Sequence, residues 1–163
     1  MLEIYVLVEQ KKGILLKFFE VFSYVMAAFA GLLTFLGAGI FFPVILMGIA
    51  VGYYFHTRNF EYEYSYFDGD VRFAKITNKS KRKRLPGYKM EEIVIIAPAG
   101  DRSVYQYEND RNAKVRDLSS GYADRDVYVM VAKSDNGVEV VRFEPDEKYL
   151  NAVCIKYAQK VKR

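Results

Sequence analysis

The stretch Val21–Phe55, VFSYVMAAFAGLLTFLGAGIFFPVILMGIAVGYYF, contains no charged side chain. At about 35 residues it is too long for one membrane span and fits two short ones. Gly37-Ala38-Gly39 lies in its middle and supplies a reversal point. The stretch therefore predicts a transmembrane helical hairpin over residues 14–56, with spans from Ile14 to Phe35 and from Ile40 to Phe55. Paired helices satisfy their backbone hydrogen bonds internally, as lipid requires. Lys17 and Glu20 fall in the first turns, within snorkelling reach of the interface. Pro43 stands near the start of the second span, where its missing N–H costs least. Tyr53, Tyr54 and His56 close that span as an interfacial belt.

The charges outside the run set an orientation. Between His56 and Met90 stand Arg58, Arg72, Lys75, Lys79, Lys81, Arg82, Lys83, Arg84 and Lys89, against Glu61, Glu63, Asp68 and Asp70. Lys11, Lys12 and Lys17 mark the other flank, and the connecting loop has no basic residue. By the positive-inside rule both termini are expected in the cytoplasm, with the Gly37–Gly39 turn outside. A cleavable signal peptide is disfavoured, because the segment before the apolar run is long and contains three acids. Cys154 is the only cysteine, so no internal disulfide forms, in keeping with a reducing compartment.

Within the hairpin, Gly48-Ile49-Ala50-Val51-Gly52 is a GxxxG pattern, and Ala27 and Gly31 form a small-xxx-small pair on the other span. Two readings stand: packing of the two hairpin helices on each other, or dimerisation through the same face.

The remaining residues divide into a cytoplasmic N-terminal segment, 1–13, and a soluble domain, 57–163. Leu2 to Val8 fits either an alternating strand or a short amphipathic helix on the membrane surface, and the helix is the expected form. Phe60 to Phe67 alternates, with Tyr62, Tyr64 and Tyr66 on one face. Asp68-Gly69 is a hairpin signal leading into Val71, Phe73 and Ile76. Lys81 to Leu85 extends to a third strand broken by Pro86-Gly87. Ile93 to Ile96 and Val104 to Tyr107 are further strand candidates, and Asn109 to Asp117 reads as loop or short helix. Asp126 to Ala132 and Val138 to Phe143 form a hairpin around Asp135-Asn136-Gly137. Pro145 is expected at N1 of a terminal helix whose stripe is Leu150, Val153, Cys154, Tyr157, Ala158 and Val161. About seven strands followed by one helix gives an α+β class, in the order of a pleckstrin-homology-like (PH-like) antiparallel barrel or sandwich capped by its C-terminal helix.

The segment Phe60–Gly69, FEYEYSYFDG, followed by Lys75–Leu85, KITNKSKRKRL, and Ile95-Ile96-Ala97-Pro98, resembles a family of bacterial two-transmembrane-helix proteins of unknown function (domain-of-unknown-function family 6106-like). The order of parts is similar over nearly the whole length, while the motif covers about a quarter of it. The resemblance implies a hairpin followed by a cytoplasmic PH-like domain, and brings no catalytic residues with it.

Lys79, Lys81, Arg82, Lys83 and Arg84 form the sharpest local feature. Close to a membrane exit they are expected to contact anionic phospholipid headgroups or a protein partner, or simply to set topology on a solvated edge. The tyrosine ladder reads as a packed sheet face before a ligand wall. Nucleic acid is disfavoured, since the nearby aromatics are accounted for by packing. His56 is the only histidine and has no second soft ligand beside it, so no metal site is expected. No acid–base pair, phosphate loop or nucleophile motif stands out, and no cofactor is implied. The expected function is that of a non-enzymatic, membrane-anchored interaction module in the bacterial plasma membrane, engaging lipid, a protein partner or a second copy of itself. Two alternatives stay open: a subunit of a larger membrane complex packing through the hairpin, and an enzyme whose site the sequence does not reveal.

Overall fold

The computed structural model describes residues 3–37, 39–134 and 137–163. Leu2, Ala38 of the reversal, and Asp135-Asn136 of the last hairpin turn lie outside the described residues. The chain divides into two compact units, Lys12–Phe60 and a second made of Met1–Lys11 with Glu61–Arg163.

In the first unit, α1 (Ile14–Phe35) and α2 (Phe42–Thr57) form the helical hairpin. α1 ends as a left-handed cap: Gly37 has φ +98° and its N–H donates to the Thr34 carbonyl at 3.1 Å. A single 3-10 turn over Gly39–Phe41 leads into α2, with Pro43 in its first turn. α1 and the segment Gly39–Thr57, which joins the 3-10 turn to α2, are long and apolar enough to cross a membrane, and only 17% and 11% of their most apolar stretches are buried within the chain. A core helix of a water-soluble protein would be mostly buried, so these apolar faces need another covering.

Among the described residues, the second unit contains nine strands, two α-helices and a closing 3-10 turn. One sheet runs β1 (Ile4–Glu9), β2 (Phe60–Phe67), β3 (Asp70–Thr77), β4 (Lys81–Arg84), with β5 (Tyr88–Lys89) also on β3. Asp68 and Gly69 both have positive φ, 44° and 92°, as the turn between β2 and β3 requires. Between Ala74↔Arg84 and Val71↔Tyr88 the register gains one residue on the β4–β5 side. Pro86-Gly87 therefore sits in a bulge of one interrupted strand. The other sheet runs β6 (Ile93–Pro98), β8 (Tyr128–Ser134), β9 (Gly137–Phe143), β7 (Lys114–Asp117), with β7 parallel to β9.

The surface helix expected for Leu2–Val8 is replaced by β1. It pairs antiparallel with β2 from Ile4↔Tyr66 to Glu9↔Glu61. Alternation decides the outcome: Val8 is buried, Ile4 and Val6 pack on the core, and Tyr5 and Leu7 face outward. The N-terminal segment thus belongs to the domain rather than standing apart from it.

Four further expectations change. Val104–Tyr107 lies in a helix, α3 (Arg102–Glu108), because Asp101 caps it, its Oδ1 accepting from Ser103 N at 2.8 Å. Lys114–Asp117 is a strand, drawn into order by β9. The terminal helix α4 (Glu147–Tyr157) is capped by Asp146, which accepts from Tyr149 N at 2.7 Å, so Pro145 precedes the cap instead of opening the helix. The helical stripe also stops early. Val161 pairs with Ile96, and the Lys160 ammonium donates to the Ile93 carbonyl at 2.7 Å, which fastens the chain end along β6.

The core holds edge-to-face aromatics. Phe143 meets Tyr64 at 5.6 Å, Phe73 at 5.8 Å and Tyr149 at 6.0 Å between ring centroids. Tyr62, Tyr64 and Tyr66 are all buried, so the ladder is a packed sheet face. The fully buried Tyr64 hydroxyl donates to the Leu118 carbonyl at 2.6 Å, and burial pushes its pKa well above the usual phenol range.

The register generates a direct test. A chain in which residues 10–60 are replaced by Asn-Gly, joining Glu9 to Glu61 through a tight turn, is expected to fold as a water-soluble domain with a full near-UV dichroism signal. A chain beginning at Glu61 loses β1 and the burial of Val8, about 1.5–3 kcal/mol for that side chain alone. It is expected to unfold at lower urea concentration than the fused chain, and equal midpoints would contradict the role given to β1.

Candidate functional site

The basic run forms a strand, and strand geometry divides its charges. β4 pairs with β3 through Ala74↔Arg84, Lys75↔Lys83, Ile76↔Arg82 and Thr77↔Lys81. Arg82 and Arg84 project to the outer face of the sheet, with Arg72 of β3, and line a cavity of about 570 Å³. Ser65, Ala74, Leu85 and Gly87 complete its floor and wall. Lys81 and Lys83, one step out of phase, project to the opposite face, and Lys75 beside them lies over the Tyr62 ring at 5.8 Å. Lys79 sits in the β3–β4 turn with φ 55° and lines a neighbouring cavity of about 610 Å³ with Leu7, Glu9, Glu61, Ile76 and Arg125. The five predicted residues therefore do not form one patch.

Counter-charges tune this face. Arg82 is ion-paired to Glu63, and Arg72 Nη2 donates to Asp70 Oδ2 at 2.8 Å. Arg84 takes part in no ion pair among the described residues. Arg72 and Arg125 were not singled out by the sequence. The alternation signal was present for Arg72, two residues before Ala74 on the facing strand, whereas nothing local marks Arg125.

A third groove of about 540 Å³ lies between α4 and the ends of β1 and β2, with Ile4, Tyr66, Phe67 and Ile155 as its apolar lining and Lys148 and Lys156 among its polar residues. Inside the domain Glu139 gathers three cationic or hydroxyl partners. Tyr88 Oη donates to its Oε2 at 2.5 Å and Arg116 Nε at 3.1 Å, while Lys114 Nζ stands 3.6 Å from Oε1. Burial would raise the Glu139 pKa, but the bonds from Tyr88 and Arg116 override it and hold the carboxyl below its ordinary 4.5. Burial and this carboxylate together push the Tyr88 phenol up. Among the described residues no group of three or more His, Cys, Asp or Glu side chains is placed to hold a metal ion. Cys154 is half-buried on α4.

The helix seam brings together three of the four small residues predicted for it. A Cβ on Gly48 would stand 2.9 Å from Ala27 Cβ and from the Ser23 carbonyl oxygen. A Cβ on Gly52 would stand 2.7 Å from the Tyr24 ring. Gly31 has nothing within 4 Å of the same position, and Ala30 is the buried neighbour instead. The seam on α1 is therefore Ser23, Ala27 and Ala30. The Ser23 hydroxyl at the seam is satisfied by the Phe19 carbonyl at 2.7 Å. At the open end of the hairpin, Glu20 Oε1 meets His56 Nδ1 at 2.7 Å and Glu20 Oε2 lies 3.4 Å from Lys12 Nζ. The Lys12 ammonium also donates to the His56 carbonyl at 2.5 Å, and Arg58 covers the Tyr54 ring at 4.7 Å.

Two outcomes follow from these contacts. Gly48→Ala is expected to loosen the hairpin by about 1–3 kcal/mol, since the added methyl meets backbone, while Gly31→Ala is tolerated; SDS titration followed by far-UV dichroism reads both. For Glu139 the sign is set by its lowered pKa: its contribution is complete above the unfolded carboxylate value and is lost as pH falls through the depressed folded value. Glu139→Gln is therefore expected to cost about 1.5 kcal/mol at pH 7. The deficit should shrink once acid protonates the wild-type carboxyl, and a pH-independent deficit would contradict the network.

The comparisons with known proteins fit this architecture. The sequence profile described as "Bacterial PH-like domain (DUF6106)" matches residues 2–163. No curated protein and no solved structure matches the chain. The match spans the N-terminal strand, the hairpin, both sheets and the closing helix, and the chain belongs to this bacterial PH-like family.

Proposed function

We propose that the protein is a non-enzymatic interaction module held at the cytoplasmic face of the bacterial plasma membrane. The hairpin is the anchor, and the PH-like domain meets anionic lipid headgroups or a protein partner. One observation carries the reading: Glu9 and Glu61, which flank the hairpin in sequence, stand opposite each other in a strand pair. Ile14 opens α1 five residues after Glu9, and Thr57 closes α2 four residues before Glu61. Connectors of this length reach at most about 14–18 Å, and neither can cross a hydrocarbon core of about 30 Å alone. Two spans then return the chain to the side of the membrane on which it started, and the basic flanks favour the cytoplasm as that side. Mostly exposed apolar faces on both helices support lipid as their covering.

The tether raises the local concentration of the domain at the surface, so a weak intrinsic affinity suffices. The alternative of a subunit in a larger complex must use another helix face, because Gly48 is already filled by Ala27 of the same hairpin.

A labelling experiment tests the placement. In a Cys154→Ser background, Gly39→Cys is expected to react with a membrane-impermeant maleimide on intact spheroplasts, and Arg163→Cys only after lysis. Labelling of Arg163→Cys in intact spheroplasts, or recovery of the chain in the soluble fraction, would overturn the reading.

A further inference from the structure

We infer that the cavity bounded by Arg72, Arg82 and Arg84 on the outer sheet face is a binding site for a phosphate group, carried by a lipid headgroup or by a soluble phosphate ester. The inference rests on the proposed membrane placement for the choice of lipid, and on the cavity alone for the phosphate.

Three independent features converge there. First, three guanidiniums on two neighbouring strands border one depression, and the small Ala74, directly opposite Arg84, forms part of its floor. Second, donors are left over. Asp70 and Glu63 engage Arg72 and Arg82 and Glu3 also lines the cavity, so the carboxylates balance the guanidiniums in formal charge, while Arg84 has no ion-pair partner among the described residues. A guanidinium presents five donors, so one carboxylate leaves Arg72 and Arg82 with donors to spare. The planar fork matches phosphate oxygens two at a time. Third, the wall is irregular at this place and not elsewhere on β3's partner strand. The extra residue of the bulge turns Leu85 and Gly87 into the cavity rim, and bulges re-aim side chains beside binding sites. Gly87 packs closely against the neighbouring strand: a Cβ there would stand 3.0 Å from the Val71 carbonyl oxygen. Ser65 adds a hydroxyl that donates or accepts.

The strand supplies its own control, because Lys81 and Lys83 carry the same charge on the opposite face. With the full-length chain in neutral detergent, binding of inorganic phosphate and of glycerol 3-phosphate is read by ³¹P line broadening. Binding to lipid is read with nanodiscs containing phosphatidylglycerol against nanodiscs of phosphatidylcholine. Arg84→Gln and Arg72→Gln are each expected to weaken binding at least about tenfold. Arg84→Lys, which keeps the charge and loses the fork, is expected to fall between, and the Lys81→Gln/Lys83→Gln double variant to match wild type. Near-UV dichroism confirms that each variant is folded. Binding of the soluble probes identifies a phosphate ester site, and binding only to phosphatidylglycerol discs identifies a headgroup site. Failure of every probe, or equal weakening by the lysine double variant, overturns the inference. The maleimide topology assay is independent of both results. A chain anchored as proposed that binds no phosphate loses this site alone, and a chain that binds phosphate from the soluble fraction loses the placement alone.

Discussion

The pairing of β1 with β2 is the constraint on which the rest depends. These strands are neighbours in the sheet and about fifty residues apart in sequence, with the helical hairpin as their connection. An ordinary hairpin joins such strands with two to five residues, and loop-closure entropy grows only slowly with length. The insertion is therefore tolerated where the pair is well fixed. Val8, Ile4 and Val6 supply the apolar contact with the tyrosine face. The end of the strand is fixed separately, since Lys11 N donates to the Ser120 carbonyl at 2.8 Å. Ser120 is in turn held by Glu144, whose Oε1 accepts from its N–H and its hydroxyl, both at 2.8 Å.

From that pair the aromatic core follows. β2 gains β1 on one side and β3 on the other, so Tyr62, Tyr64 and Tyr66 are covered along their length. The rings of Phe73, Phe143 and Tyr149 then meet Tyr64 and Tyr66 edge to face, which fills the space between the two sheets and α4 with few side chains. The same arrangement fixes the outer face. Because Tyr64 and Phe73 point inward, their neighbours Ser65 and Arg72 point outward, and the register of β4 brings Arg84 to them. The arginine cavity is thus a consequence of how the core is packed.

Much of this was legible in the sequence, for identifiable reasons. The hairpin was legible because charge is absent over a length that physics ties to membrane thickness. The β2–β3 turn was legible because Asp68-Gly69 adopts a conformation that few other residue pairs favour. β1 was misread because six residues of period two also fit a short helix, and its strand partner lies beyond the hairpin. Val104–Tyr107 was misread because Asp101 and Ser103 form a cap whose signal is weaker than the apolar run after it. Of the residues lining the arginine cavity, the density of charge marked Arg82 and Arg84 in the sequence. Their separation from Lys81 and Lys83 required the register. Gly31 was misassigned because small residues at the right spacing occur on two faces of α1, and only packing chooses between Gly31 and Ala30.

The most direct test is a disulfide across the β1–β2 pair. Leu7 and Glu63 are opposite each other, and directly paired antiparallel residues have Cα atoms about 4.5–5.5 Å apart, within reach of a disulfide. In a Cys154→Ser background, Leu7→Cys with Glu63→Cys is expected to oxidise in isolated membranes to an intramolecular bond. The monomer should then run faster on a non-reducing gel, with near-UV dichroism unchanged. No cross-link, or cross-linking only between separate chains, would contradict the account.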